Sequence, residues 1–174
     1  MTTLAAIANM IDIGVERLGR LLAWLALVMA SIVASVVLLR YCFAIGSIAL
    51  QESIGYLHAT LFMLGIGYTY KHNGHVRVDI FYRDFAPKRR ALVDLFGTLL
   101  FLLPVALLIF LSSYDYVITS WRIGETSEES SGIPFVYGLK TLLLIMPILL
   151  ILQGISHALR QIVRLWEPQE TRQL

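Results

Sequence analysis

Two histidines, His58 and His157, lie in separate apolar stretches of the sequence, where few other side chains could take part in chemistry. Imidazoles from two facing helices can ligate a haem iron from both sides. This pattern leaves open a haem-bearing anchor of a respiratory complex. His58 is expected in one half of its stretch and His157 near the opposite end of its own, which argues against one shared iron. We expect a neutral His58 that hydrogen-bonds a neighbouring helix.

Glu52 lies at the beginning of the second apolar stretch, where a carboxylate is close to the membrane surface and its charge costs little. Arg40 ends the first apolar stretch, a short connection away. We expect Glu52 to pair with Arg40 and so to orient the first two helices. Contact between Glu52 and a partner protein is the alternative.

A polar segment, Lys71–Arg90, separates two apolar stretches, and we call it the polar island. Positive charge at a membrane surface explains most of its Lys and Arg residues. It does not explain the order His75-x-Arg77-x-Asp79. Asp79 and Arg83 are four residues apart, which favours an ion pair. Arg77 then remains to bind a carbonyl, a lipid phosphate or a partner.

Apolar residues within the polar island follow helical spacing and predict a short amphipathic helix over about 76–85, lying on the membrane surface. The residues of this stripe are Val78, Phe81, Tyr82 and Phe85. Pro87 disfavours helix at the preceding residue and so marks the end of the segment.

The elements that must position these residues are membrane helices. The chain is 57% hydrophobic and 15% charged, against about 25% charged residues in soluble domains. Charged residues are almost absent from four windows of the sequence, each long enough to cross a hydrocarbon core of about 30 Å. The sequence therefore predicts an all-α integral membrane protein, one domain of four transmembrane helices with short interfacial helices. The spans are expected at about 21–39, 53–70, 95–114 and 139–159.

Eleven of the 14 Lys and Arg residues fall in the N-terminal segment, the polar island and the C-terminal tail. Positive residues collect on the cytoplasmic side of membrane proteins. Both termini and the interfacial segment 71–90 are therefore expected in the cytoplasm, and the acidic loop 115–138 in the periplasm.

One face of the predicted second span carries small and polar residues at spacings of three and four. Such faces mediate helix packing in lipid, so we expect this one to meet another helix. Its residues are Gln51, Gly55, His58, Phe62, Gly65 and Thr69.

The predicted periplasmic loop combines aromatic and charged side chains, a mixture suited to transient docking of a soluble partner steered by charge. An ordinary solvated loop is the alternative. The residues concerned are Trp121, Arg122, Glu125, Glu128 and Glu129.

Four motifs follow one another along the chain: Arg40-Tyr41-x-Phe43, Glu52, His75-Val76-Arg77-Val78-Asp79 and Ser131-Gly132-Ile133-Pro134. This ordered set resembles the small membrane subunit, of the DctQ type, of tripartite ATP-independent periplasmic (TRAP) transporters. The His75–Asp79 motif is similar to a signature of that family. One departure is Ala49-Leu50-Gln51, where the family often has a tryptophan.

The resemblance implies a scaffold in the bacterial inner membrane, paired with a large membrane subunit of the DctM type. In the family, the large subunit holds the substrate and sodium sites and moves as an elevator. A periplasmic solute-binding protein of the DctP type delivers the substrate, usually an organic acid. No cofactor is expected in this chain, and phospholipid is expected around it. The residues expected to serve structure or assembly are Arg40, Glu52, His58, His75, Arg77, Asp79 and Arg83.

Other functions find little support in the residues. The chain has no Ser/His/Asp set, no HExxH motif and no glycine-rich phosphate loop, so an enzyme is not expected. A net charge of +2 is too small to indicate nucleic-acid binding, and the single cysteine, Cys42, cannot form an internal disulfide. An autonomous four-span carrier remains an alternative to the scaffold, alongside the respiratory anchor.

Overall fold

The computed structural model describes residues 2–76, 80 and 82–166, and five α-helices account for most of them. They are α1 (Thr2–Phe43), α2 (Ile48–Lys71), α3 (Pro87–Gly97), α4 (Leu103–Ile123) and α5 (Val136–Trp166). A 3-10 turn at Tyr82–Asp84 precedes α3, and a π turn at Thr98–Leu102 joins α3 to α4. The all-helical class predicted from the sequence is confirmed for these residues.

Three helical segments in the described residues are long and apolar enough to cross a membrane. They are Thr3–Phe43, Pro87–Ile123 and Val136–Trp166, which contain the first, third and fourth predicted spans. Helix α2 has 24 residues, about 36 Å at 1.5 Å per residue, but it is less apolar and is not among the three.

The helices are longer than the spans predicted within them. Helix α1 begins at Thr2, so the polar N-terminal segment continues directly into the first apolar stretch. Helix α4 runs to Ile123, so the beginning of the predicted 115–138 loop is helical. It ends at Gly124, whose φ of 58° is the left-handed conformation that glycine adopts without strain.

The π turn at Thr98–Leu102 ends two residues before Pro104, and proline explains its position. Proline has no N–H to donate to the carbonyl four residues earlier, here that of Leu100, and its ring would collide with that carbonyl in a regular helix. A locally widened turn relieves the collision while the helix continues.

Helices α1, α2 and α5 pack against one another, and α4 packs on α5. Gly67 of α2 faces Val15 of α1 and Leu149 of α5, and the Tyr68 ring lies against Gly19. At the other end of the same pair, Arg40 and Gln51 line one shallow crevice. Helices α1 and α2 are therefore antiparallel over their length. We call the end with Lys71 the island end and the end with residues 124–135 the loop end.

The predicted packing face of α2 is not covered by the rest of the described chain. Gln51, Gly55, His58 and Phe62 are all exposed, and the buried contacts of α2 are made instead around Gly67. Helices α1 and α5 pack on a different side of α2, so contact of this face with another helix stays a prediction.

The amphipathic helix predicted over 76–85 is only partly within the described residues, since Arg77, Val78, Asp79 and Phe81 lie outside them. In the part that is described, the 3-10 turn at Tyr82–Asp84 stands in place of regular α-helix. The turn is held by Arg90, whose Nε donates to the carbonyl of Phe85 at 2.9 Å.

Candidate functional site

A buried carboxylate, Asp12, lies at the centre of a polar cluster at the island end. Asp12 is 8% exposed and accepts hydrogen bonds from Ser156 Oγ at 2.7 Å and from Gln153 Nε2 at 3.0 Å. Arg160 forms an ion pair with its second oxygen. Buried carboxylates are tolerated when paired and hydrogen-bonded in this way. The three donors all come from α5, so Asp12 fastens α1 to α5.

Glu16, one helical turn after Asp12, extends the cluster to α2. Lys71 Nζ lies 2.7 Å from Glu16 Oε2, and His72 Nε2 lies 2.9 Å from the same oxygen. Lys71 also donates to the backbone oxygen of Asp12 at 3.1 Å. Three helices thus meet at one set of contacts. We call this set the island cluster: Asp12, Glu16, Lys71, His72, Gln153, Ser156 and Arg160.

Sequence reasoning missed the island cluster, because it counted Lys71 and Arg160 only as charges for orientation and assigned no contact to the other members. One signal was present: Asp12 and Glu16 are four residues apart, so both acids lie on one face of the helix. Their partners on α2 and α5 lie up to 148 residues away, and no local pattern identifies them.

An open polar cavity of about 450 Å³ adjoins the island cluster. Its lining includes Asp12, Lys71, Asp94, His157 and Arg160. The cluster therefore lies at a solvent-accessible end of the bundle and is not sealed within it.

The two histidines considered as haem ligands are not brought together. The His157 ring contacts the Tyr70 ring, with 5.3 Å between centroids, and a hydrogen bond of 3.1 Å joins His157 Nε2 to Gln161. His58 is exposed and stacks on Phe62. Its backbone lies about 18 Å along α2 from that of Tyr70, at 1.5 Å per residue. Within the described residues, no group of three or more His, Cys, Asp or Glu could hold a metal.

Glu52 organises the loop end. Its Oε2 accepts a hydrogen bond from the backbone N–H of Ile133 at 2.6 Å, and its Oε1 accepts one from the Ser127 hydroxyl. Ser127 Oγ accepts in turn from the Glu129 N–H at 3.1 Å. Gly132 lies so close that a Cβ there would be 2.7 Å from Glu52 Oε1. Glu52 therefore fastens the beginning of α2 to the loop between α4 and α5.

The predicted Glu52–Arg40 pair was wrong. Glu52 turns to the loop, where a backbone donor and a hydroxyl satisfy its carboxylate. Arg40 is exposed on α1 and makes no ion pair within the described part of the chain. The two residues are close in sequence, but a donor on a distant loop offers Glu52 better geometry than Arg40 does.

A second tie at the loop end joins the α4–α5 loop to α5. Lys140 Nζ lies 2.6 Å from both carboxylate oxygens of Glu125 and 4.0 Å from the centre of the Tyr116 ring. The Lys140 ammonium holds the pKa of Glu125 below its usual value. Beside this pair, Trp121 Nε1 donates to Thr141 Oγ1 at 2.9 Å.

Two of the sequence motifs meet at the loop end, because Glu52 contacts the Gly132-Ile133 segment. The chain matches the family model of the tripartite ATP-independent periplasmic transporters, DctQ component, over residues 28–166. It belongs to the DctQ family. The resemblance seen in the sequence is confirmed, and the chain is a membrane component of a tripartite transporter. No curated protein and no solved structure matches it.

The remaining motif of this DctQ chain lies only partly within the described residues. Arg77 and Asp79 fall outside them, so their predicted roles and the Asp79–Arg83 pair stay predictions. His75 is exposed, and its ring centroid is 6.2 Å from that of Tyr70. Arg83 is exposed, with Nε 4.0 Å from Asp84 Oδ1.

The loop residues predicted to dock a soluble partner differ in their solvent exposure and in whether they are already paired. Trp121 is 51% exposed, and Arg122, Glu128 and Glu129 are exposed as well. Glu125 is occupied by Lys140. The accessible part of this DctQ surface is therefore the set without Glu125.

Proposed function

We propose that this chain is the fixed scaffold subunit of a TRAP transporter, which supports uptake of an organic acid by a large membrane subunit of the DctM type. The DctQ family match over residues 28–166 is the observation that carries the proposal. The contacts support it, because polar ties at both ends join helices into one body. In this proposal sodium coupling and the carboxylate site belong to the large subunit.

The scaffold crosses the membrane four times, with α2 as the remaining span. Glu52 at the beginning of α2 contacts Ile133 just before α5, and Lys71 at its end contacts the island cluster with Arg160 of α5. Helix α2 therefore covers most of the height of α5, a helix that is itself apolar enough to span. Packing on α1 and α5 shields the side of α2 that contains Gly67 from lipid.

Both termini and the island end face the cytoplasm in this proposal, because positive residues concentrate there. The loop end then faces the periplasm of the bacterial inner membrane. Cysteine-accessibility labelling checks the orientation with His75→Cys and Glu128→Cys, both on a Cys42→Ser background; each position is exposed. An impermeant reagent added to whole cells with a permeable outer membrane should label only the Glu128 position.

A periplasmic binding protein of the DctP type docks at the loop end, on a surface that includes Trp121, Arg122, Glu128 and Glu129. All four are exposed, and opposite charge on the partner would accelerate encounter. Glu128→Lys with Glu129→Lys should slow docking while assembly with the large subunit persists. Unchanged uptake by this variant across low and high salt would refute the docking role.

The scaffold function is tested by transport in proteoliposomes. The large subunit is reconstituted with and without this chain, and purified binding protein is added outside with a panel of radiolabelled mono- and dicarboxylates. Uptake driven by a sodium gradient is expected only with all three components. Equal uptake without this chain would refute the scaffold role, and equal uptake without sodium would refute the coupling.

A further inference from the structure

An exposed strip runs along α2 from the loop end toward the middle of the helix. We call it the outer strip, and it comprises Arg40 at the end of α1 together with Gln51, Gly55, His58 and Phe62 of α2. Arg40 and Gln51 line the same crevice, so the α1 residue is continuous with the α2 face. Phe62 at the inner end of the strip is 66% exposed.

The polar groups of the outer strip have no polar partner within the described part of the chain. Arg40 makes no ion pair there, since Glu52 is taken by Ser127 and Ile133. Neither the Gln51 amide nor the His58 imidazole is hydrogen-bonded to a described residue. His58 has only a ring contact with Phe62, at 6.5 Å between centroids.

Lipid does not provide hydrogen-bond partners for all of these polar side chains. Arg40 alone could reach a lipid phosphate, as long basic side chains near helix ends do. His58 lies seven residues beyond Gln51, about 10 Å deeper along the helix. Acyl chains offer an imidazole nothing to bond with at that depth, and polar side chains within spans face other protein.

We propose that the outer strip is the docking surface for one transmembrane helix of the large membrane subunit. That helix carries a carboxylate opposite Arg40 and, about 10 Å deeper, a side chain that hydrogen-bonds His58. Between these two points Gly55 has open space, with no atom within 4 Å of where a Cβ would lie. A glycine there lets the partner backbone approach closely. The inference rests on the proposed function, which supplies the large subunit.

Charge argues against a second copy of this chain as the occupant. Two copies in one membrane have the same orientation, so a two-fold dimer through the strip would bring Arg40 near the partner copy's identical arginine. The strip contains no carboxylate to compensate, because its residues are one arginine, one glutamine, one glycine, one histidine and one phenylalanine. A helix from a different subunit can provide the missing acid.

Photocross-linking in the assembled complex tests the contact directly. A benzoyl-phenylalanine is placed at Phe62, and in a matched control at Leu108 of α4, which is 65% exposed. Phe62 should give an adduct with the large subunit, and Leu108 should give much less. Adducts from Phe62 only with lipid or with a second copy would overturn the proposal, as would no preference for Phe62 over Leu108.

Substitutions test the two polar contacts. Arg40→Glu should lower the affinity of the detergent-solubilised chain for the large subunit by about tenfold or more, whereas Arg40→Lys should retain most of it. His58→Leu should weaken binding and His58→Gln should restore part of it, because a hydrogen-bonding group returns. Both positions are exposed, so the thermal stability of the isolated chain should stay unchanged.

The two levels of proposal fail in different ways. If the wild-type chain does not co-purify with its large subunit, the proposed function fails. If the wild type co-purifies and Arg40→Glu and His58→Leu bind as well as it does, only the outer strip is refuted.

Discussion

Each end of the bundle is held together by a carboxylate, but the two carboxylates have different surroundings. At the island end, the Asp12 carboxylate is shared by the side chains of Ser156, Gln153 and Arg160. At the loop end, Glu52 accepts from a backbone N–H and a hydroxyl of a connecting loop. Both ends use a carboxylate, but the first is buried among helices and the second lies against a loop.

This difference predicts unequal consequences of substitution. Removing the Asp12 carboxylate takes away an acceptor that three donors of α5 share, at a position that is only 8% exposed. Removing the Glu52 carboxylate leaves one amide and one hydroxyl near solvent. Island-end changes should therefore disturb the whole bundle, and loop-end changes mainly the loop.

The largest expected effect is that of Asp12→Ala. The substitution leaves the Gln153 amide, which is 3% exposed, without its acceptor, and it leaves the Ser156 hydroxyl with only its 3.2 Å bond to the Ala8 carbonyl. We expect a loss of about 3 kcal/mol in the free energy of unfolding. Thermal or denaturant unfolding in detergent measures it, and Asp12→Asn, which keeps one acceptor oxygen, should lose less. A change no larger than that of Asp115→Asn, at an exposed site on α4, would contradict the importance of the island cluster.

The second effect comes from Gly132→Ala at the loop end. The added methyl group would lie 2.3 Å from Ser127 Oγ and 2.7 Å from Glu52 Oε1, so Ser127 must move and its bond to Glu52 is lost. Overpacking of this kind costs about 1–2 kcal/mol. Gly46→Ala is the matched control, because a Cβ there meets nothing within 4 Å. If both alanines lower the melting temperature equally, the close packing at Gly132 has no energetic consequence.

The sequence predicts more of the loop end than of the island end. The Glu52 and Ser131–Pro134 motifs were both identified, and they meet in the structure. Their pairing was not predicted, because Arg40 lies closer in sequence and a charge is a more visible partner than a backbone N–H. Every residue except proline has a backbone N–H, so residue types do not reveal which of these groups will donate to Glu52.

At the island end, apolar runs predict where helices form but not which polar residues face one another. Hydropathy averages over a window, so it does not separate Asp12 and Glu16 from the rest of the polar N-terminal segment. Their burial depends on how α1 rotates against α5, and that rotation is set by packing such as Tyr68 against Gly19. Tertiary packing of this kind is decided by several helices together.

The third effect is confined to the loop. Glu52→Gln keeps an acceptor oxygen but loses the charge that strengthens the bond from the Ile133 N–H, now 2.6 Å long. We expect hydrogen exchange at the Ile133 amide to accelerate by up to about tenfold, because local opening becomes easier. Hydrogen-exchange mass spectrometry of the peptide containing Ile133 measures this. Exchange at island-end peptides should not change, and a change there would show that the two ends are coupled.

The smallest effect is a pH dependence carried by Glu125. Lys140 lowers the pKa of Glu125 in the folded chain, so the pair stabilises the fold above the ordinary glutamate pKa of about 4.3. That contribution is lost as pH falls through the lowered folded pKa, since protonation removes the charge that Lys140 binds. The melting temperature of the wild type should therefore fall more steeply below pH 5 than that of Glu125→Gln, by no more than about 2 °C. Parallel curves for the two proteins would show that the Glu125–Lys140 tie adds no pH-dependent stability.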